Sequence, residues 1–114
     1  MRILVAVKPR VYREVLALSL HHYRPDDEVL ISPPEALDRE TGRFRPHLVI
    51  CSEGAAPGVL PGILCRVEIM FSDGLDARIS VDGRDTEAKD VGTQDLFTLV
   101  DRTEKMIPKE GAVD

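Results

Sequence analysis

The sequence predicts a three-layer α/β domain built on an open, mostly parallel sheet. Three observations lead there. Two runs, Ile3-Leu4-Val5-Ala6-Val7 and Leu48-Val49-Ile50-Cys51, are apolar without interruption, the pattern of strands covered on both faces. Around them lie segments with helical spacing, so strand, helix, strand, helix and strand follow one another over short links. Residues 65–81 then change period and alternate around an Asp-Gly pair, as the arms of an antiparallel hairpin do.

The first strand covers residues 3–7. Pro9 follows where a first helical turn tolerates it. Val11, Val15 and Leu18 form the apolar stripe of the next helix, widened by Tyr12, Leu16, Ser19 and Leu20. Arg10, Arg13, Glu14 and Ala17 fall toward the other side. The helix is expected to stop near Tyr23, because Pro25 restricts Arg24. Residues 28–32 make a second strand. Ser32-Pro33-Pro34-Glu35 matches a capping box with prolines in the first turn. It opens a short helix through Ala36, Leu37 and Glu40 that ends at Thr41-Gly42. Residues 48–51 are the third strand, and parallel strands joined through helices place the first three in the order 2-1-3. The hairpin adds a fourth strand beside the third and a fifth, Ala77 to Val81, antiparallel at the edge. The full order is then 2-1-3-4-5. Asp82-Gly83 opens a polar stretch to Asp90, read as a loop or a short strand. Thr93 caps a third main helix through Leu96, Leu99, Val100 and Thr103, with Phe97 alongside. Residues 1–107 form one domain in this reading, and 108–114 a polar tail.

A chain of 114 residues has room for one domain of this size. Hydrophobic residues supply 43% and charged residues 31%, which suits a packed globular core and excludes a disordered chain. Tryptophan is absent, with three Phe and two Tyr, so the core has to be aliphatic. No apolar run approaches the roughly 20 residues of a membrane-spanning helix. Met1-Arg2 leads straight into the first strand, leaving no room for a signal peptide. A cytoplasmic protein without a membrane partner is the expectation. Net charge is −5, with eight Lys/Arg against seven Asp/Glu in residues 1–50 and seven against thirteen in 51–114. The acidic second half argues against nucleic-acid binding and leaves room for a protein partner with a basic patch. Cys51 and Cys65 are expected reduced and buried. With no CxxC pair, neither zinc nor any other cofactor is indicated.

With order and residues assembled, residues 1–57 resemble a response-regulator receiver domain, whose sheet is of the flavodoxin type. Arg2 to Val7 looks like the receiver's opening strand. Arg45-Pro46-His47-Leu48-Val49-Ile50-Cys51-Ser52 is similar to the RPDLVLLD run that carries the phosphorylated aspartate. The resemblance implies two acidic residues at the end of the first strand to hold Mg²⁺, a hard cation that needs carboxylate oxygens. Val7 and Lys8 stand there instead. The acceptor aspartate aligns with Ser52, whose hydroxyl cannot form an acyl phosphate. Ser72 does fall where a receiver keeps a Ser or Thr, but the helix and Lys-Pro that should follow are replaced by the hairpin. The resemblance therefore implies a degenerate receiver, not phosphorylated on aspartate.

Cys51-Ser52-Glu53-Gly54 lies at the carboxyl end of a central strand, where open α/β sheets place their ligands. An activated thiolate wants a positive neighbour or a helix N-terminus. Cys51 is accordingly read as a small buried hydrophobe, and no catalytic residue is assigned. His21 and His22 point about 100° apart on a helix, so they do not share one metal, and they suit a helix end. Asp73, Asp76, Asp82 and Asp85 do not match a calcium loop, and no Gly-Lys-Ser/Thr follows Gly54, Gly58 and Gly62.

Residues 53–64 are too rich in Gly and Pro for a helix. Val59, Leu60, Ile63 and Leu64 either fold over the sheet or form an exposed patch for a partner. The fifth strand, with Arg78 its only charge, is a second candidate interface. Two readings of function follow. The leading one is a non-enzymatic, receiver-like signalling or regulatory module that works by protein–protein contact, as a homodimer or with another protein. The rival is a small enzyme or an anion- or metabolite-binding protein using Lys8, Ser52, Glu53 and Ser72 at the strand ends. Lys8 and the first amides of the helix would attract the anion.

Overall fold

In a computed structural model, which describes residues 1–54, 63–71, 75–81 and 83–107, the two apolar runs lie side by side at the centre of the sheet. They are β1 (Arg2–Ala6) and β3 (Leu48–Ser52), paired parallel from Ile3↔Leu48 to Ala6↔Cys51. Residues 3–7 and 48–51 have no exposed surface. Side chains alternate between the faces of a strand, so strands of this kind require cover on both sides. α1 (Arg10–Tyr23) and α2 (Leu37–Phe44) supply it, connecting through β2 (Glu28–Ile31), which pairs parallel with the outer side of β1. The chain then adds β4 (Cys65–Phe71), β5 (Leu75–Val81), β6 (Arg84–Ala88) and α3 (Thr93–Met106). The six strands run β2-β1-β3-β4-β5-β6, with β4 parallel to β3 and β5 and β6 antiparallel.

The chain steps outward from β1 to β2 and then back past β1 to β3. Right-handed crossovers in opposite directions place their helices on opposite faces. Leu16, Ala17 and Leu20 of α1 join Leu96, Leu99 and Val100 of α3 over Ile3, Val5, Leu48, Ile50, Val67 and Ile69. Leu37 of α2 covers Leu4, Ala6, Val49 and Cys51 on the other face. Each fully buried Leu or Ile contributes about 1.5–3 kcal/mol. The α1 and α3 ends are clasped by Arg24, which pairs with Asp27 at 3.1 Å, Asp101 at 3.3 Å and Glu104 at 3.2 Å. Tyr23 stacks on Phe97 with ring centroids 4.1 Å apart. Among the described residues, no helix is long and apolar enough to cross a membrane.

Four expectations are corrected. Val11, Val15 and Leu18 do not face the core: they are 71%, 57% and 59% exposed, while Leu16, Ala17 and Leu20 are buried. α1 carries two apolar stripes, and the small Ala17 lets the helix approach the sheet on the second. The fifth strand is not the edge, because Arg84–Ala88 pairs with it from Ala77↔Ala88 to Val81↔Arg84. This sixth strand returns past Gly83, whose φ of +79° glycine adopts without strain. The Ser32 capping box does not form: Ser32 Oγ donates to the Pro33 carbonyl at 2.9 Å. A 3-10 turn at Pro34–Ala36 precedes α2 instead, and α2 continues to Phe44, where Arg45 closes it in the left-handed conformation. The N-cap of α3 is Gly92, not Thr93, with the Gly92 N–H donating to Asp95 Oδ2 at 2.8 Å. The Asp73-Gly74 turn and the tail 108–114 lie outside the described residues.

The reassigned face of α1 predicts that Leu20→Ala costs about 2–5 kcal/mol in urea unfolding, while Val15→Ala stays within about 0.5 kcal/mol. Equal losses would restore the original stripe. A second outcome concerns His47, whose Nδ1 accepts the Arg2 N–H at 3.0 Å. Burial, and then the Arg2 charge, hold this imidazole below its ordinary value. The unfolded chain therefore takes up the proton first. Stability from His47 is complete above a pH of about 6.5 and is lost as pH falls from there through the folded value. His47→Asn, whose amide oxygen takes the Arg2 N–H without titrating, flattens that part of the stability–pH curve.

Candidate functional site

The reversal of winding between β1 and β3 leaves a crevice position at their carboxyl ends, where open α/β sheets hold ligands. Val7 and Lys8 leave β1 there, and Ser52 and Glu53 leave β3. Ser52 is buried, and its Oγ accepts the Lys8 N–H at 2.8 Å. The Glu53 N–H donates to the Ile69 carbonyl at 3.0 Å, extending the β3–β4 ladder by one bond. The side chains of Lys8 and Glu53 are exposed. Arg13 reaches back from α1 to donate to the Val7 carbonyl at 3.3 Å, and its Nε is buried without a hydrogen bond among the described residues. α1 begins at Arg10, after Pro9, with no side-chain cap hydrogen bond among the described residues and no acidic residue in its first turn. The structure thus ties Lys8 to Ser52 directly and sets Glu53 next to them. Ser72 lies outside the described residues.

This arrangement limits the chemistry. A serine nucleophile needs a base in hydrogen-bond reach, whereas the partner of Ser52 Oγ is a backbone amide. The Cys51 thiol is pushed up to about 12, first by burial and then by the Glu68 charge, against an opposing pull from Arg66. Burial raises Cys65 as well, and its hydrogen bond with Thr103 opposes that rise. His21 and His22 are exposed with ring centroids 6.3 Å apart and planes at 88°.

The structure places the interface candidates differently from one another. Ile63 packs with Leu4, Ala6 and Leu37 on the α2 face. Leu64 is half-buried and its N–H donates to the His47 carbonyl at 2.9 Å. Val59 and Leu60 lie outside the described residues. Arg78 is interior to the sheet along β5, opposite Glu68 on β4 and Glu87 on β6, with Glu87 Oε1 at 4.0 Å.

Two features escaped the sequence reading. One is a charged row on the α2 side of the sheet. Arg66 Nη2 sits 3.5 Å from the buried Glu68, which faces Cys51 across the β3–β4 ladder. Alternation alone puts Arg66 and Glu68 on the face opposite Val67 and Ile69 and does not show that this face is covered. The other is a shallow groove of about 410 Å³ between α1 and β2, lined by Glu14, Ala17, Leu18, His21, Val29 and Ile31. Its signal was present in Leu18, on the stripe of α1 that the core does not use.

Both thiols should resist alkylation in the native protein and react at ordinary rates once the chain is unfolded. Mass spectrometry of a quenched iodoacetamide time course measures this, and fast native labelling at Cys51 would restore a nucleophile. No family model, curated protein or solved structure matches this chain.

Proposed function

We propose that the chain is a receiver-like regulatory module that works by protein contact and carries no phosphoryl group on aspartate. One observation carries this reading. The position that aligns with a receiver's acceptor aspartate is Ser52, buried and hydrogen-bonded to the Lys8 amide. Val7 and Lys8 stand where the magnesium-binding carboxylates would stand, and neither offers the oxygen ligand Mg²⁺ requires. Strand order supports the comparison in its first three members, β2-β1-β3, and its antiparallel extension through β5 and β6 departs from it. A fold likeness alone does not assign function, so the reading rests on the residues at the strand ends.

A second reading has its own observation. Exposed Lys8 adjoins the uncapped start of α1, an environment that favours a small anion over a protein contact.

Incubation with acetyl phosphate and Mg²⁺, followed by intact-mass measurement, separates the outcomes. The module reading predicts no added phosphoryl group, and stoichiometric labelling of a carboxylate contradicts it. Titration with inorganic phosphate tests the anion reading. Saturable amide shifts confined to residues 8–13 and 52–54 favour an anion site, and uniform shifts remove it.

A further inference from the structure

The two edges of the sheet are built differently. β6 is Arg84-Asp85-Thr86-Glu87-Ala88, with four of its five residues exposed and charge along its length, a composition that discourages pairing with another chain. β2, the other edge, is Glu28-Val29-Leu30-Ile31. Its Ile31 is 46% exposed and Leu18 of α1, beside it in the groove, is 59% exposed. Glu28 and Ser32 donate their N–H groups to the Met1 and Val5 carbonyls of the neighbouring strand segment. Alternate residues of a strand direct their amides the same way. Val29 and Ile31 consequently point theirs outward, as a pair of donors and acceptors without a strand partner among the described residues, on an apolar edge.

We propose that β2 pairs antiparallel with β2 of a second copy of this chain, about a two-fold axis through Leu30, so that the groove beside Leu18 is filled by the same groove of the other copy. The inference deepens the contact reading above by naming partner and surface. Under this axis Val29 exchanges two hydrogen bonds with Ile31 of the second copy, and Ile31 with its Val29. Glu28 faces Ser32, so no like charges meet across the ladder. The groove residues of α1 are self-complementary about the same axis. Glu14 and His21 flank Ala17 and Leu18 symmetrically, so an antiparallel α1 sets the Glu14 carboxylate against the His21 imidazole of the second copy and Leu18 against its Ala17, with the two Leu18 side chains on either side of the axis. α1 packs on both β1 and β2. The axis beside β2 therefore separates the two α1 helices by about two strand spacings, roughly 10 Å, a normal distance for packed helices. One four-residue strand edge and one groove make a contact of the weak, transient class, for which we expect a dissociation constant on the order of ten micromolar.

Sedimentation equilibrium over roughly 1–200 µM, bracketing that constant, tests the dimer, with circular dichroism to show that each variant is folded. Leu18→Glu puts two carboxylates at the axis and should shift dissociation at least tenfold. Ile31→Pro removes an outward N–H, as edge strands tolerate, together with the Ile31 side chain in the groove, and should abolish the dimer. Glu14→Lys should weaken association, and Glu14→Lys with His21→Glu should recover it. A wild-type monomer at every concentration overturns the proposal. So does a dimer indifferent to both Leu18→Glu and Ile31→Pro, and if the proline variant is unfolded, Leu18→Glu decides alone. A monomer leaves the acetyl phosphate result untouched, so the two readings fail separately.

Discussion

Burial of β1 and β3 on both faces is the constraint from which the other features follow. Leu4, Val5, Val49 and Ile50 are wholly enclosed, and their backbone groups are satisfied by the parallel ladder β2-β1-β3-β4. An apolar strand pair of this kind cannot sit at a surface without losing several kcal/mol of burial. Helices must therefore lie above and below it, and the two crossovers must run in opposite directions. That requirement also sets where the strands end together. Lys8 and Ser52 meet because β1 and β3 are in register.

The same constraint explains why the strand ends hold structural bonds. Ser52 is deep enough that its hydroxyl needs a partner, and the Lys8 amide provides it. Cys51, one residue earlier, is sealed between α2 and the sheet, which suppresses its thiolate. These groups lock the β1–β3 junction. Among the described residues, the large exposed apolar side chains instead collect at the far edge, on α1 and β2.

The α/β class and the order of the first four strands were legible because uninterrupted runs such as residues 3–7 have few other solutions. Three features were not. α1 has Val11, Val15 and Leu18 on one stripe and Leu16, Ala17 and Leu20 on another, and periodicity alone cannot rank two stripes of similar content. Packing ranks them, through Ala17. Residues 84–88, read as a loop or a short strand, carry no apolar alternation to decide between the two, and their pairing is supplied by the open side of β5, a tertiary cause that propensity does not record. Arg66 and Glu68 follow the period expected of a half-solvated strand, yet Glu68 is enclosed. Lys8 and Ser52 were expected at neighbouring strand ends from the position of the third strand, but the hydrogen bond between them leaves no mark in the sequence.

Native-state hydrogen exchange, resolved by residue, tests this account most directly. It predicts that the amides of Val5, Ile50 and Cys51 exchange only through global unfolding, and that the Lys8 amide, although in a loop, is protected with them by Ser52. The amides of β6 should open by local fluctuation at far lower free energy. Exchange of Lys8 at the rate of a free loop amide, or of β1 and β3 as readily as β6, would contradict the central claim.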